Sequence, residues 1–115
     1  MIKVIYVSGK YRGDSEREVF DNIVHARTAA LKLWEEGWAV ICPHTNSMFM
    51  GSRLGDDKFI KGDLAIVERC DAIYMLNGWE ESEGAQLELA KAQEMRLDII
   101  YEDSKPLFAS DLFYS

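Results

Sequence analysis

The chain has 115 residues, a net charge of −7 and a hydrophobic fraction of 48%, with five Phe, five Tyr and three Trp. That composition supports one buried core without metals or disulfides and argues against disorder. The acidic balance excludes nucleic acid polymers and anionic membranes as expected partners, because both need clustered Lys and Arg. A small anionic ligand is still allowed, since one arginine and a few backbone N–H groups can hold a single phosphate. Cys42 and Cys70 lie in or beside apolar runs without metal-ligand spacing, which predicts reduced, buried thiols and a cytoplasmic protein. No metal-ligand set or cofactor motif is legible. The start at Met1 is too short for a signal peptide, and no apolar run reaches membrane-spanning length.

In chain order, Ile2 to Ser8 is a near-continuous apolar run and reads as a strand covered on both faces. Gly9 ends it, and a loop through Gly13 leads to Ser15, which opens a helix with Glu18 in a capping-box position. Phe20, Ile23, Val24, Ala30, Leu31 and Trp34 are expected on the buried side of that helix, and Gly37 is its left-handed stop. His25, beside Arg27, is expected at the surface. Trp38 to Cys42 is a second strand, closed by Pro43. The stretch from His44 to Asp57 has no clear period and reads as a broken helix or as a long loop of the kind that forms lids. A helix around Asp63 follows, then a strand from Ala72 to Leu76 and a loop from Asn77 to Ser82. Ser82 is the expected cap of a helix carrying Glu88, and the acidic cluster before it is expected in solvent. Leu97 to Tyr101 is a fourth strand.

Alternating strands and helices predict an α/β fold with a doubly wound, mainly parallel sheet of four to five strands, flavodoxin- or Rossmann-like, over one domain spanning 1–115. Ligands of such folds bind outside the carboxyl ends of the strands. The loops there are 9–15, 43–57 and 77–82. The tail 102–115, with Leu107, Phe108, Leu112, Phe113 and Tyr114, is expected to pack over its own sheet or against a second subunit, so a homodimer or higher homo-oligomer is anticipated.

Two acids stand out because each shares a helix face with residues that should be buried. Asp63 falls among Phe59, Ile60, Ile66, Val67 and Cys70, and Glu88 shares its face with Gly84, Ala85 and Ala92. Burying a carboxylate raises its pKa or demands a partner, and perturbed acids in a cleft are candidates for chemistry. The plainer alternatives are pairing of Glu88 with Lys91 or Arg96, pairing of Asp63 with Lys58 or Lys61, and a strand-capping role for Asp71. Arg12 in the glycine loop is either a phosphate contact or a surface residue; His44 is a base-pocket candidate or a loop histidine.

The segments Tyr6-Val7-Ser8-Gly9-Lys10-Tyr11-Arg12-Gly13, Asp63-Leu64, Asp71-Ala72 and Gly84-Ala85-Gln86-Leu87-Glu88-Leu89-Ala90 resemble, in order and spacing, the nucleoside 2-deoxyribosyltransferase-like superfamily. Within it the chain is most similar to the small 2′-deoxynucleoside 5′-monophosphate N-glycosidases and their uncharacterised bacterial and phage relatives. The resemblance implies that Glu88 is a nucleophile toward the anomeric carbon of a deoxyribose. It implies that Asp63 positions the sugar and assists proton transfer, and that Tyr6 hydrogen-bonds the nucleophile. Ser8, Gly9, Arg12, Gly13, Ser82 and Gly84 would bind substrate or its 5′-phosphate, and His44, Asn46 and Asn77 are base-pocket candidates. No cofactor or metal is implied. Transferases acting on free nucleosides carry an aspartate six residues before the nucleophile; Ser82 stands there here, as in the nucleotide hydrolases. The implied activity is base release from a deoxynucleoside 5′-monophosphate through a covalent glycosyl-glutamate. The alternatives are deoxyribosyl transfer between bases and a non-catalytic nucleotide sensor, and the partner in every case is a small-molecule deoxynucleotide or nucleoside.

Overall fold

The computed structural model describes residues 1–46 and 56–102, without the side chains of 46, 56 and 57. The middle of the expected lid, with Met48 and Phe49, and the tail from 103 onward lie outside the described residues. The strands are β1 (Val4–Ser8), β2 (Ala39–Ile41), β3 (Ala72–Met75) and β4 (Asp98–Tyr101). The helices are α1 (Glu16–Glu35), α2 (Pro43–Asn46), α3 (Asp56–Val67) and α4 (Glu83–Glu94), with a 3-10 turn at Trp79–Glu81 before α4. Among the described residues all strand pairings are parallel, in the order β2-β1-β3-β4. The doubly wound α/β sheet read from the sequence is the architecture found. No helix of the described residues is long and apolar enough to cross a membrane.

Strand alternation divides the core. Ile5 and Val7 point to the α1 side, where they pack with Ala26, Ala29, Ala30, Leu33 and Trp38. Tyr6 points to the other side, among Val67 of α3, Cys70 of the following turn, Ile73 of β3, and Ala85, Leu89 and Ala92 of α4. Ser8 follows Tyr6 by two positions and so continues that second face to the strand's end. Asp71 anchors the opposite end: its Oδ2 accepts from the Val4 amide at 2.8 Å, and its own amide donates to the Val4 carbonyl at 2.9 Å. Because β1 and β3 are neighbours aligned Ser8 with Met75, their following loops leave the same edge toward opposite faces. That divergence opens the crevice in which doubly wound folds place ligands.

Helix α1 corrects two expectations. Its sheet-facing residues are Ile23, Ala26, Ala29, Ala30 and Leu33, while Phe20, Val24, Leu31 and Trp34 are exposed. Small alanines let the helix axis approach the sheet, and this turns the larger apolar residues outward. His25 is half-buried rather than at the surface, its Nε2 2.9 Å from Oε1 of Glu102 just beyond β4. The helix stops as expected at Gly37, whose φ of +101° is the left-handed conformation that closes the last turn.

Candidate active site at the switch point of the sheet

Helix α4 begins where its sequence says it should. Ser82 is the N-cap, and its Oγ accepts from the Ala85 amide at 3.1 Å. Small residues at Gly84 and Ala85 bring this first turn close to the sheet, and Glu88, one turn on, meets the end of β1. The Tyr6 hydroxyl donates to Glu88 Oε2 at 2.7 Å, and the Ser8 hydroxyl donates to Oε1 at 2.6 Å. Both carboxylate oxygens are thus held by donors, the arrangement that suits an ionised acid. Lys91, the suspected local partner of Glu88, pairs with Glu68 and Glu94 instead. Ser8, expected among the substrate- or phosphate-binding residues, is buried, and its hydroxyl is committed to Glu88.

Asp63 of α3 and Glu88 line the same cleft, which has a volume of about 560 Å³. Burial pushes Asp63 up to about 6. Burial likewise pushes Glu88 up to about 7; the Ser8 and Tyr6 hydroxyls oppose that rise and the charge of Asp63 adds to it. Burial, with the charges of Glu88 and Asp63, drives the Tyr6 phenol far above its ordinary value, so it stays a donor. Two acids whose charges repel share protons near neutrality, and their titration belongs to the pair.

The remaining walls are polar at the mouth and apolar on one side. Gly9, Lys10, Tyr11 and Arg12 come from the loop after β1, Phe59 and Ile60 from α3, and Ser82, Glu83 and Gly84 from the start of α4. A Cβ at Gly9 would lie 2.7 Å from Leu76 Cδ1, so only glycine lets this loop lie on the end of β3. Gly13 faces the Glu18 side chain and is not among the cleft-lining residues. Lys10, which the site expectations omitted, bridges Glu18 at 3.2 Å and Glu81 at 3.4 Å across the mouth, so the acidic cluster is not simply solvated. Its position directly after Gly9 was the available signal.

His44 is 5% exposed and lines the cleft. Its Nε2 lies 3.0 Å from the Lys10 carbonyl, an acceptor, which makes Nε2 the protonated nitrogen. Nδ1 is buried without a hydrogen-bond partner among the described residues. Burial lowers the His44 pKa, so the ring is neutral and Nδ1 is a buried lone-pair acceptor. Asn77 is exposed, sits outside the cleft lining, and gives its amide to Glu102 Oε1 at 2.7 Å. The Asn46 side chain lies outside the described residues. Among the described residues, no three His, Cys, Asp or Glu converge as a metal site.

The model of a domain of unknown function, DUF4406, matches residues 3–101. The chain belongs to the DUF4406 family. No curated protein matches it. In fold, this DUF4406 chain is similar to a 2-deoxyribosyltransferase from the psychrotolerant bacterium Bacillus psychrosaccharolyticus, with a TM-score of 0.62 at 16% identity, over 94% of this chain and 80% of that one. The α/β architecture anticipated from the alternation of strands and helices is therefore shared with this neighbour.

Proposed function

We propose that this protein cleaves the bond between base and deoxyribose of a deoxynucleoside 5′-monophosphate, with retention at the anomeric carbon. The observation that carries the reading is the Glu88 carboxylate, gripped at both oxygens by Tyr6 and Ser8 in a cleft it shares with Asp63. N-glycosidic cleavage passes through an oxocarbenium-like state that a carboxylate stabilises or traps.

In the first half-reaction a Glu88 oxygen attacks C1′. The C–N bond breaks, its electron pair goes to the base nitrogen, and protonated Asp63 supplies the proton. In the second, Asp63, now ionised, takes a proton from water as the water oxygen attacks C1′ and displaces Glu88. The free sugar phosphate leaves, and the pair returns to its singly protonated state. Phe59, Ile60 and Tyr11 offer apolar surface to the sugar and base. Lys10, Arg12 and the first-turn amides of α4 favour a phosphate at the mouth. Deoxyribosyl transfer differs only in the acceptor, a second base in place of water, and the fold neighbour's activity supports it as the second reading.

The test is incubation with a panel of deoxynucleotides and nucleosides, read out as liberated base by chromatography. Wild-type protein should release base, and Glu88→Ala should not. Arg12→Ala should raise KM for monophosphates far more than for free nucleosides. Base release that survives Glu88→Ala removes the nucleophile, and equal KM changes remove the phosphate subsite. Binding without turnover would instead leave a nucleotide sensor.

A further inference from the structure

We propose that the outward face of α1 is a contact surface for a second copy of this chain, packed antiparallel to the first. Phe20, Val24, Leu31 and Trp34 are 56%, 43%, 58% and 55% exposed, although each is a large apolar side chain. They leave on the order of 400 Å² of apolar surface in one stripe, the size at which a patch on a monomer marks an interaction site. With Arg17 and Arg27 they follow a three-and-four spacing along the whole 20-residue helix. That is the seam by which one straight helix packs along another.

The charges select the partner and its direction. In a parallel pair, Arg17 would oppose the partner's Arg17 and Arg27 the partner's Arg27, two repulsive layers. In an antiparallel pair about a two-fold axis, Arg17 meets the partner's Trp34, Phe20 meets the partner's Leu31, and Val24 meets the partner's Arg27. Each guanidinium then covers an apolar surface, as arginine does well on tryptophan, and has an acid at hand. Glu35 lies beside Trp34, and Asp21 lies one turn from Val24, on the flank of the same seam. Among the described residues Arg17 pairs with Asp21 at 3.3 Å, with both side chains mostly in solvent, so exchanging that pair costs little.

The self-complementary order of arginines and apolar residues along the seam argues for a second copy of this chain as its occupant. Two such stripes with their flanks approach the ~1,200 Å² of a small stable interface. The proposal does not depend on the catalytic reading.

Sedimentation of the full chain over a concentration series should show a reversible species of twice the 13.2 kDa chain mass. Leu31→Glu and Trp34→Glu should return the single-chain mass with an unchanged circular dichroism spectrum, since both positions are exposed. Native Cys42 and Cys70 are buried, so introduced thiols report alone. Under mild oxidation F20C/L31C should form a covalent dimer, whereas F20C or L31C alone should cross-link at least about tenfold more slowly, because the antiparallel seam keeps identical positions apart. A single-chain mass at every concentration overturns the proposal. So does an assembly indifferent to both glutamates, or cross-linking of the single-cysteine variants as fast as the double.

Discussion

Tyr6 and Glu88 are 82 positions apart in the chain, yet the phenol donates to the carboxylate at 2.7 Å. Tyr6 is fully buried in the first strand, and its ring is fixed by Val67, Ile73 and Leu89 around it. The hydroxyl is thus a rigid donor, already in place before any ligand arrives. Such pre-placed donors are what a reacting carboxylate needs, because no reorganisation is left for the chemical step.

Removing that donor should be visible in the rate and in the pH profile together. A hydrogen bond to a charged group is worth about 1.5–3 kcal/mol, so Tyr6→Phe should lower kcat/KM roughly tenfold to a hundredfold. The acid limb should also move to higher pH, because the hydroxyl favours the ionised form of Glu88. Ser8→Ala should act in the same direction through the other oxygen. Steady-state kinetics across pH distinguishes this from a folding defect, which would lower the amplitude and leave the limb where it was.

The wild-type profile of kcat/KM should be a narrow bell. Burial raises both Glu88 and Asp63 so that they titrate together as a pair near neutrality, and the reaction needs that pair with one proton. Below the lower limb both acids are protonated and no nucleophile exists. Above the upper limb both are ionised and the leaving base has no donor. Asp63→Asn should abolish the bell's alkaline limb along with most of the activity. A rate that keeps rising to pH 9 would count against Asp63 as the proton source.

Stability should run against activity at Glu88. Its carboxyl is raised from 4.5 to about 7 in the fold, so the folded state holds the proton more tightly than the unfolded one. The contribution is fully favourable below about pH 4.5 and is lost as pH rises through about 7. Glu88→Gln carries no charge to desolvate and still accepts from Tyr6, while the Ser8 hydroxyl can rotate to suit the amide. At pH 8 this variant should exceed wild type by up to about 3 kcal/mol, and near pH 4 the two should coincide. Urea unfolding at the two pH values decides it.

Gly9→Ala should weaken the fold and the site at once. The added methyl meets Leu76 Cδ1 at 2.7 Å and its Cβ at 2.8 Å, and Leu76 is buried and cannot retreat. Overpacking of this kind costs about 1–3 kcal/mol. The loop carrying Lys10 and Arg12 must lift off β3 to relieve it, so KM for phosphorylated substrate should rise as well.

Periodicity along the chain was enough to place the four strands, the long helices, the Ser82 and Ser15 caps and the Gly37 stop, because each depends on a few neighbouring residues. It also marked Asp63 and Glu88 as acids on faces meant for burial. It misjudged α1, since which of two possible stripes packs on the sheet depends on how closely the alanines let the helix approach. That is a property of the packed pair and not of either element.

The meeting of Glu88 with Tyr6 and Ser8 is likewise a tertiary matter. Each residue type hinted at a role, but the commitment of the Ser8 hydroxyl to the carboxylate, the salt bridges of Lys10 across the mouth, and the tautomer of His44 follow from contacts between segments far apart in the chain. Local sequence can say that an acid will be buried; only the closed sheet, by bringing β1 beneath α4, decides which donors it meets and how far its proton affinity rises.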